Sequence, residues 1–267
     1  MAMRCDRKGT CENPYKDTVV ILDSSALFHV LQAFVKSIPN NTPNHQLFHS
    51  FRWQVENIFP KISLCPRIGR FIVEKQVYLD EMDFTNPAST IRNEAVFINI
   101  CDNQNNNFNE IGNKVSEKVR IDDGAISDPE IATLQRLANS GPNVIYRRPS
   151  KNDFIQIALA FKLSNQGSSV ILSDDTHLRD ALENICSQRY VTLSTARYDT
   201  SRVSSTSTIS FFENNYSCCR YDVNEYFALI DILDNFVKEL AGTNNPIGIM
   251  YDENIQRICR HIAEFNK

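Results

Sequence analysis

Hydrophobic residues fall in short blocks along the chain, and the spacing within each block predicts its element. "VVILD" (19–23) reads as a short apolar strand of the kind covered on both faces of a parallel sheet. In "SSALFHVLQAFVKSI", directly after it, Leu27, Val30, Leu31, Phe34 and Val35 keep helical spacing, and Pro39 and Pro43 end the run. Residues 45–62 form a second helical block stopped at Pro60. "RFIV" (70–73) reads as a strand, 74–84 as a helix carrying Asp80 and Glu81, and "EAVFINI" (94–100) fits either element. The asparagine-rich 101–113 reads as a loop too polar to pack.

Residues 128–141 predict a helix with Asp128 as N-cap, Pro129 in the first turn and Gly141 past the end. Residues 150–167 are the clearest helix, capped by Ser150 and ended by Gly167. "SSVILSDD" (168–175) is a second apolar strand ending in acid, 176–188 a helix and "YVTLST" (190–195) a last strand. Alternating strands and helices imply an α/β domain with a mostly parallel sheet. Residues 1–17 read as a flexible arm and 198–221, rich in Ser and Thr, as a linker. Residues 222–267 carry two amphipathic helices, a tail that packs on the domain or binds a protein partner.

Composition narrows the class. The chain has 267 residues, 42% hydrophobic and 22% charged, enough for one large α/β domain with an appendage. No apolar run is long enough to span a bilayer and the start lacks a signal-peptide pattern, so the expectation is an intracellular protein, cytoplasmic or nuclear. Eight cysteines, six scattered and Cys218 and Cys219 adjacent, with no C-x-x-C pair, speak against a zinc ribbon and a disulfide framework. The net charge of −4 counts against strong non-specific binding to nucleic acid. Neither a P-loop nor a dinucleotide fingerprint is present.

The candidate chemistry is acidic. Asp23 ends one apolar strand, and Asp174 and Asp175 end another. Asp153 sits in the first turn of the helix before that second strand. Ligands of open parallel sheets bind outside the carboxyl ends of the strands, so these acids are expected at one rim. Each has a plainer role as a helix cap: Asp23 for the helix from 24, Asp153 as capping-box partner of Ser150, Asp175 for the helix from 176. Taken together, carboxylates converging without a paired cation call for a hard metal such as Mg²⁺ or Mn²⁺. The matching chemistry is metal-activated water attacking a phosphodiester.

"VVILDSSALF", "SKNDFIQIALAFKL" and "VILSDDTHLRDAL" resemble the three acidic motifs of PIN-domain nucleases, a resemblance that covers residues 17–197 in pattern and order. It implies a three-layer α/β/α domain over 18–197 with the first strand central, insertions near 37–69 and 84–127, and the helical C-terminal extension added. It also implies a metal-dependent endoribonuclease that cuts single-stranded RNA, with Asp23, Glu81, Asp153 and Asp175 holding Mg²⁺ or Mn²⁺. Asp174 would support the site by hydrogen bonding or bind a second ion. "VEKQVYLDEMDF" resembles the family's Glu-bearing helix, with Glu81 the best fit and Asp80 or Glu74 as alternatives. Within the family, 128–175 resembles the endonucleases that mature the small-subunit ribosomal RNA precursor, but their cysteine zinc ribbon is missing here.

Arg147, Arg148 and Lys151 lead into the Asp153 helix and are candidate contacts to an RNA backbone; a solvated loop explains them equally. Arg197 and Arg202 are further candidates for the same role. Phe211, Phe212 and Tyr216 can stack on bases or pack under the tail. His45 and His49 at i, i+4 read as a surface helix without a third ligand. Two rival readings remain: an inactive PIN-like scaffold or RNA-binding subunit of an RNA-processing assembly, and a toxin-type PIN ribonuclease.

Overall fold

The computed structural model describes residues 15, 18–61, 71–101, 105–145 and 148–216. Five short parallel strands make the central sheet: β1 (Val19–Leu22), β2 (Phe71–Glu74), β3 (Val119–Asp122), β4 (Ser169–Leu172) and, after the two-stranded ribbon β5 (Tyr190–Leu193) and β6 (Ala196–Asp199), β7 (Val203–Thr206). Their order is β3-β2-β1-β4-β7, with β1 in the middle. Val20, Ile21 and Leu22 are buried, as are all four residues of β4, which accounts for apolar runs without alternation.

The chain leaves β1 toward β2 and β3, then crosses back to β4 and β7. Right-handed crossovers in opposite directions put helices on opposite faces. The helices divide accordingly. Helices α1 (Ser24–Ser37), α2 (Asn44–Asn57), α4 (Ala95–Cys101) and α5 (Asn105–Ser116) pack together. Helices α6 (Asp128–Asn139), α7 (Lys151–Leu163) and α8 (Thr176–Cys186) form the other group. Between these groups, α3 (Lys75–Val77) follows β2 and runs into a π-helical turn, Tyr78–Met82. The result is an α/β/α sandwich whose core runs from Phe34 and Phe51 on one side to Ile157 and Phe161 on the other. Among the described residues no helix is long and apolar enough to cross a membrane.

Several elements differ from the sequence expectation. Most of the asparagine-rich "loop" is α5, because Phe108, Ile111 and Val115 recur at i, i+3 and i+7 and are buried while the polar residues face outward. β3, "VRID", is a strand with exposed middle residues, a pattern too polar to stand out. Ser127, not Asp128, is the N-cap of α6, in a capping box with Glu130. The strand at 190–195 pairs antiparallel with β6 and lies outside the main sheet.

The largest correction concerns 198–221. Its described part, 198–216, is the end of β6, the 3-10 turn Thr200–Arg202, β7 and α9 (Thr208–Tyr216), so it belongs to the domain and not to a linker. β7 is an edge strand, and edges tolerate polar residues that central strands do not. Phe211 is wholly buried, with its ring centroid 5.3 Å from Tyr15 and 6.2 Å from Phe71, so it does not stack on bases. Tyr15, from the expected arm, also donates to Thr206 Oγ1 at 2.9 Å. The amphipathic tail at 222–267 lies outside the described residues.

Phe211→Ala therefore removes a core side chain and should cost roughly 3–5 kcal/mol, against less than about 0.5 kcal/mol for a linker position. Urea unfolding reads this as a lowered midpoint with an unchanged slope.

Candidate active site

The parallel register pairs Leu22 with Leu172, so the next residues, Asp23 and Ser173, emerge side by side where β1 and β4 end. The backbone N–H of Asp23 donates to Leu172 O at 3.0 Å. This is the place where the strand order reverses, the crevice in which open α/β sheets bind ligands. Asp23 is 3% exposed. Ser173 Oγ donates to its Oδ2 at 2.7 Å, Gln156 Nε2 donates to Oδ1 at 2.6 Å, and Ser25 Oγ also donates to Oδ2. Asp23 stands at the N-cap position of α1 but makes no capping hydrogen bond. Two donors occupy Oδ2 and one occupies Oδ1, which leaves one acceptor direction on Oδ1.

Asp153 and Asp175 do serve as caps. Asp153 Oδ2 accepts from Ser150 N at 2.6 Å while Ser150 Oγ accepts from Asp153 N at 3.1 Å, the expected capping box. Asp175 Oδ1 accepts from His177 N at 2.7 Å at the start of α8. These roles hold the two carboxylates in place and do not keep their charges from reaching the rim.

The three candidates for the second acid separate cleanly. Asp80 is exposed and both its oxygens accept from Gln76 Nε2 at 2.9 Å. Glu74 is buried as the cap of α3, with Oε2 accepting from Gln76 N at 2.6 Å and Val77 N at 3.1 Å. Glu81 faces the site: its Oε1 accepts from Asn152 Nδ2 at 2.6 Å, and the nearby Ser24 hydroxyl helps stabilise its charge. It projects from the π turn, a distortion frequent at functional sites.

The electrostatics show where positive charge is wanted. Burial and then the negative charge of Asp23 push the Asp153 carboxyl up to about 7, with Asp175 adding to the rise and the Ser150 hydrogen bonds opposing it. Burial also raises Glu81, with Asp23 and Asp80 contributing, against the bonds from Ser24 and Asn152. An all-oxygen set of mutually repelling carboxylates has the donor chemistry of a Mg²⁺ or Mn²⁺ site. Among the described residues, however, no three His, Cys, Asp or Glu side chains stand close enough to share one ion, so chelation requires side-chain rotation.

Asp174 behaves differently from its neighbour. His29 Nδ1 lies 2.9 Å from its Oδ2 and Thr208 N donates to Oδ1 at 2.8 Å. Burial alone would raise its carboxyl; the bonds from His29 and Thr208 outweigh burial and hold it below the ordinary range. Of the two roles expected for Asp174, hydrogen bonding is the one its contacts display.

The basic candidates are less concentrated. Arg148 is exposed, Lys151 pairs with Asp128 at 2.9 Å, and Arg147 lies outside the described residues. The Arg197 guanidinium sits 3.8 Å from the centroid of the Tyr190 ring, and Arg202 is exposed. His45 and His49 are exposed on α2, as a surface helix requires.

Sequence reasoning missed Ser25, His29, Asn152 and Gln156. Gln156 had a signal: it is the one polar residue inside "FIQIALAF", and it lies three positions after Asp153, on the same helix face. His29 had none, since its partner is 145 positions away.

Raising the folded carboxyl of Asp153 to about 7, above an unfolded value near 3.8, means the folded state holds a proton that the unfolded chain has lost. The group therefore costs stability as pH rises through that window. In EDTA, Asp153→Asn, which keeps an acceptor for Ser150, should melt above the wild type at pH 8. The gap should close near pH 4, and its full size should be on the order of 2–4 kcal/mol. Thermal melts across pH 4–8 measure it.

Comparison of the chain with protein-family models, with curated proteins and with solved structures finds no match.

Proposed function

We propose that this protein is a metal-dependent endoribonuclease that cuts single-stranded RNA, with Asp23, Glu81, Asp153 and Asp175 as its acidic centre. The observation that carries this reading is Asp153 beside two acids delivered by neighbouring strand ends: burial first, and then the charges of Asp23 and, more weakly, Asp175, drive its carboxyl up to about 7. Evenly solvated surface acids do not do this to one another. The same four residues are those the PIN resemblance selects from sequence.

A bound Mg²⁺ or Mn²⁺ would supply the charge that activates water and stabilises the phosphodiester as negative charge develops on it. Ser173, Gln156 and Ser25 hold Asp23 in one orientation, with one acceptor direction left on Oδ1. Asn152 orients Glu81 by its hydrogen bond, and the Ser24 hydroxyl helps stabilise the Glu81 charge. The Ser150 capping box fixes Asp153 at the start of α7. Arg148, exposed on the approach to α7, is suited to a backbone phosphate.

A second reading has its own observation. Asp23 is held by three side-chain donors, while Asp153 and Asp175 each carry a capping bond, and no three acids share a coordination distance among the described residues. That arrangement suits a PIN-like scaffold that keeps the acids for structural work.

Cleavage of a labelled single-stranded RNA separates the two. The nuclease reading expects cutting with Mn²⁺, none with EDTA, and a loss of roughly 10²-fold or more in Asp23→Asn and in Asp175→Asn while both remain folded. It also expects Mn²⁺ to raise the melting temperature of the wild type. Neither cutting nor a Mn²⁺-dependent melting shift favours the scaffold.

A further inference from the structure

Adjoining the acidic centre, and sharing Glu81 and Ser24 with it, lies a cavity of about 240 Å³. Beyond those shared residues its lining includes Phe28 and His29 on α1, the buried Ile91, Thr90 and Glu94. It is smaller than the roughly 300–1,000 Å³ of pockets for drug-sized ligands, so it suits one flat ring system and not a base pair.

The walls define what that ring must be. Phe28 is packed edge-on against Phe97, at a ring centroid distance of 5.9 Å and an interplanar angle of 87°, which holds its ring in place. His29 is oriented by its 2.9 Å bond to Asp174. An ionised carboxylate only accepts, so the His29 Nδ1 carries the proton in that bond. The Glu94 carboxylate, half-buried at the cavity, has no hydrogen bond or ion pair among the described residues. Its two oxygens are acceptors and ask for two adjacent N–H donors from whatever enters.

The geometry points to a base-binding subsite that takes one unpaired nucleobase of the RNA, with guanine preferred. This rests on the ribonuclease reading for the nature of the ligand. Unpaired bases are bound by stacking on aromatic and His rings and read along their Watson–Crick edge. On that edge guanine presents N1–H and the N2 amino group side by side, which matches a carboxylate bidentately. Adenine and cytosine each present one amino group beside a ring acceptor that would face the carboxylate. Uracil presents one N–H between two carbonyls. The cavity shares Glu81 and Ser24 with the acidic centre, so a guanosine held there places a neighbouring phosphodiester beside the carboxylates.

The test is equilibrium binding of the full chain, in EDTA, to fluorescent nine-nucleotide RNAs. One is all uridine; the others carry a single guanosine, adenosine or cytidine at the centre. The expected result is binding of the guanosine RNA tighter than each of the other three by about tenfold or more, the scale of one bidentate base contact. Glu94→Gln, which puts a donor where an acceptor is needed, should erase that preference, with circular dichroism confirming that the variant is folded. Equal binding of the four RNAs, or a guanosine preference that survives in folded Glu94→Gln, would overturn the proposal. Because no cleavage is needed, the two readings fail separately: guanosine-selective binding without Mn²⁺-dependent cutting sinks only the nuclease. Mn²⁺-dependent cutting with no base preference sinks only the subsite.

Discussion

The side chain of Asp23 is buried at the end of the central strand, and a buried carboxylate is tolerated only where donors meet its oxygens. Those donors come from three elements, one local and two distant in sequence: Ser25 from α1, Gln156 from α7 and Ser173 from the end of β4. Ser173 is brought there by the β1–β4 register. A one-residue slip of β4 would turn its alternate residues to the opposite face and take Ser173 away from Asp23. The parallel pairing of Val19–Leu22 with Ser169–Leu172 is thus at once the spine of the fold and the condition for its candidate site.

Around that point, neighbouring acids meet opposite fates for reasons that contacts explain. Asp174 is held below the ordinary carboxylate range because His29 and Thr208 more than offset its burial. Asp153, with only Ser150 to oppose burial and two acidic neighbours, is driven up. The first has its charge stabilised by the protein; the second faces charge that the protein itself does not offset. Sites that bind cations or act on anionic substrates are where such unrelieved repulsion is concentrated. The His29–Asp174 bond also links this centre to the cavity under Phe28, since it fixes one of the cavity's walls.

Elements with strong apolar periodicity were legible. β1, α1, α7, β4 and α8 all stand where the spacing of Leu, Ile, Val, Phe and Ala puts them, because each buries most of its apolar residues in the core. Elements that bury only a few residues were not. α5 hides Phe108, Ile111 and Val115 among asparagines, and β7 is a Ser/Thr edge strand that pairs on one side. A strand such as β7 forms because β4 offers it an edge, and that offer is absent from its own residues.

The division at the site has the same cause. Sequence alone determined that Asp23, Asp153 and Asp175 fall at strand ends and helix starts, since apolar runs and caps are local signals. It determined the α/β class for the same reason. Only the tertiary structure distinguishes the surroundings of Glu81 and Asp80, adjacent on one turn: Glu81 accepts from Asn152, whereas Asp80 is exposed and accepts from Gln76. Only it brought Gln156 to Asp23, 133 positions away, and His29 to Asp174. Contacts of that kind are set by how the layers stack and by strand register, and no local pattern of residues encodes them.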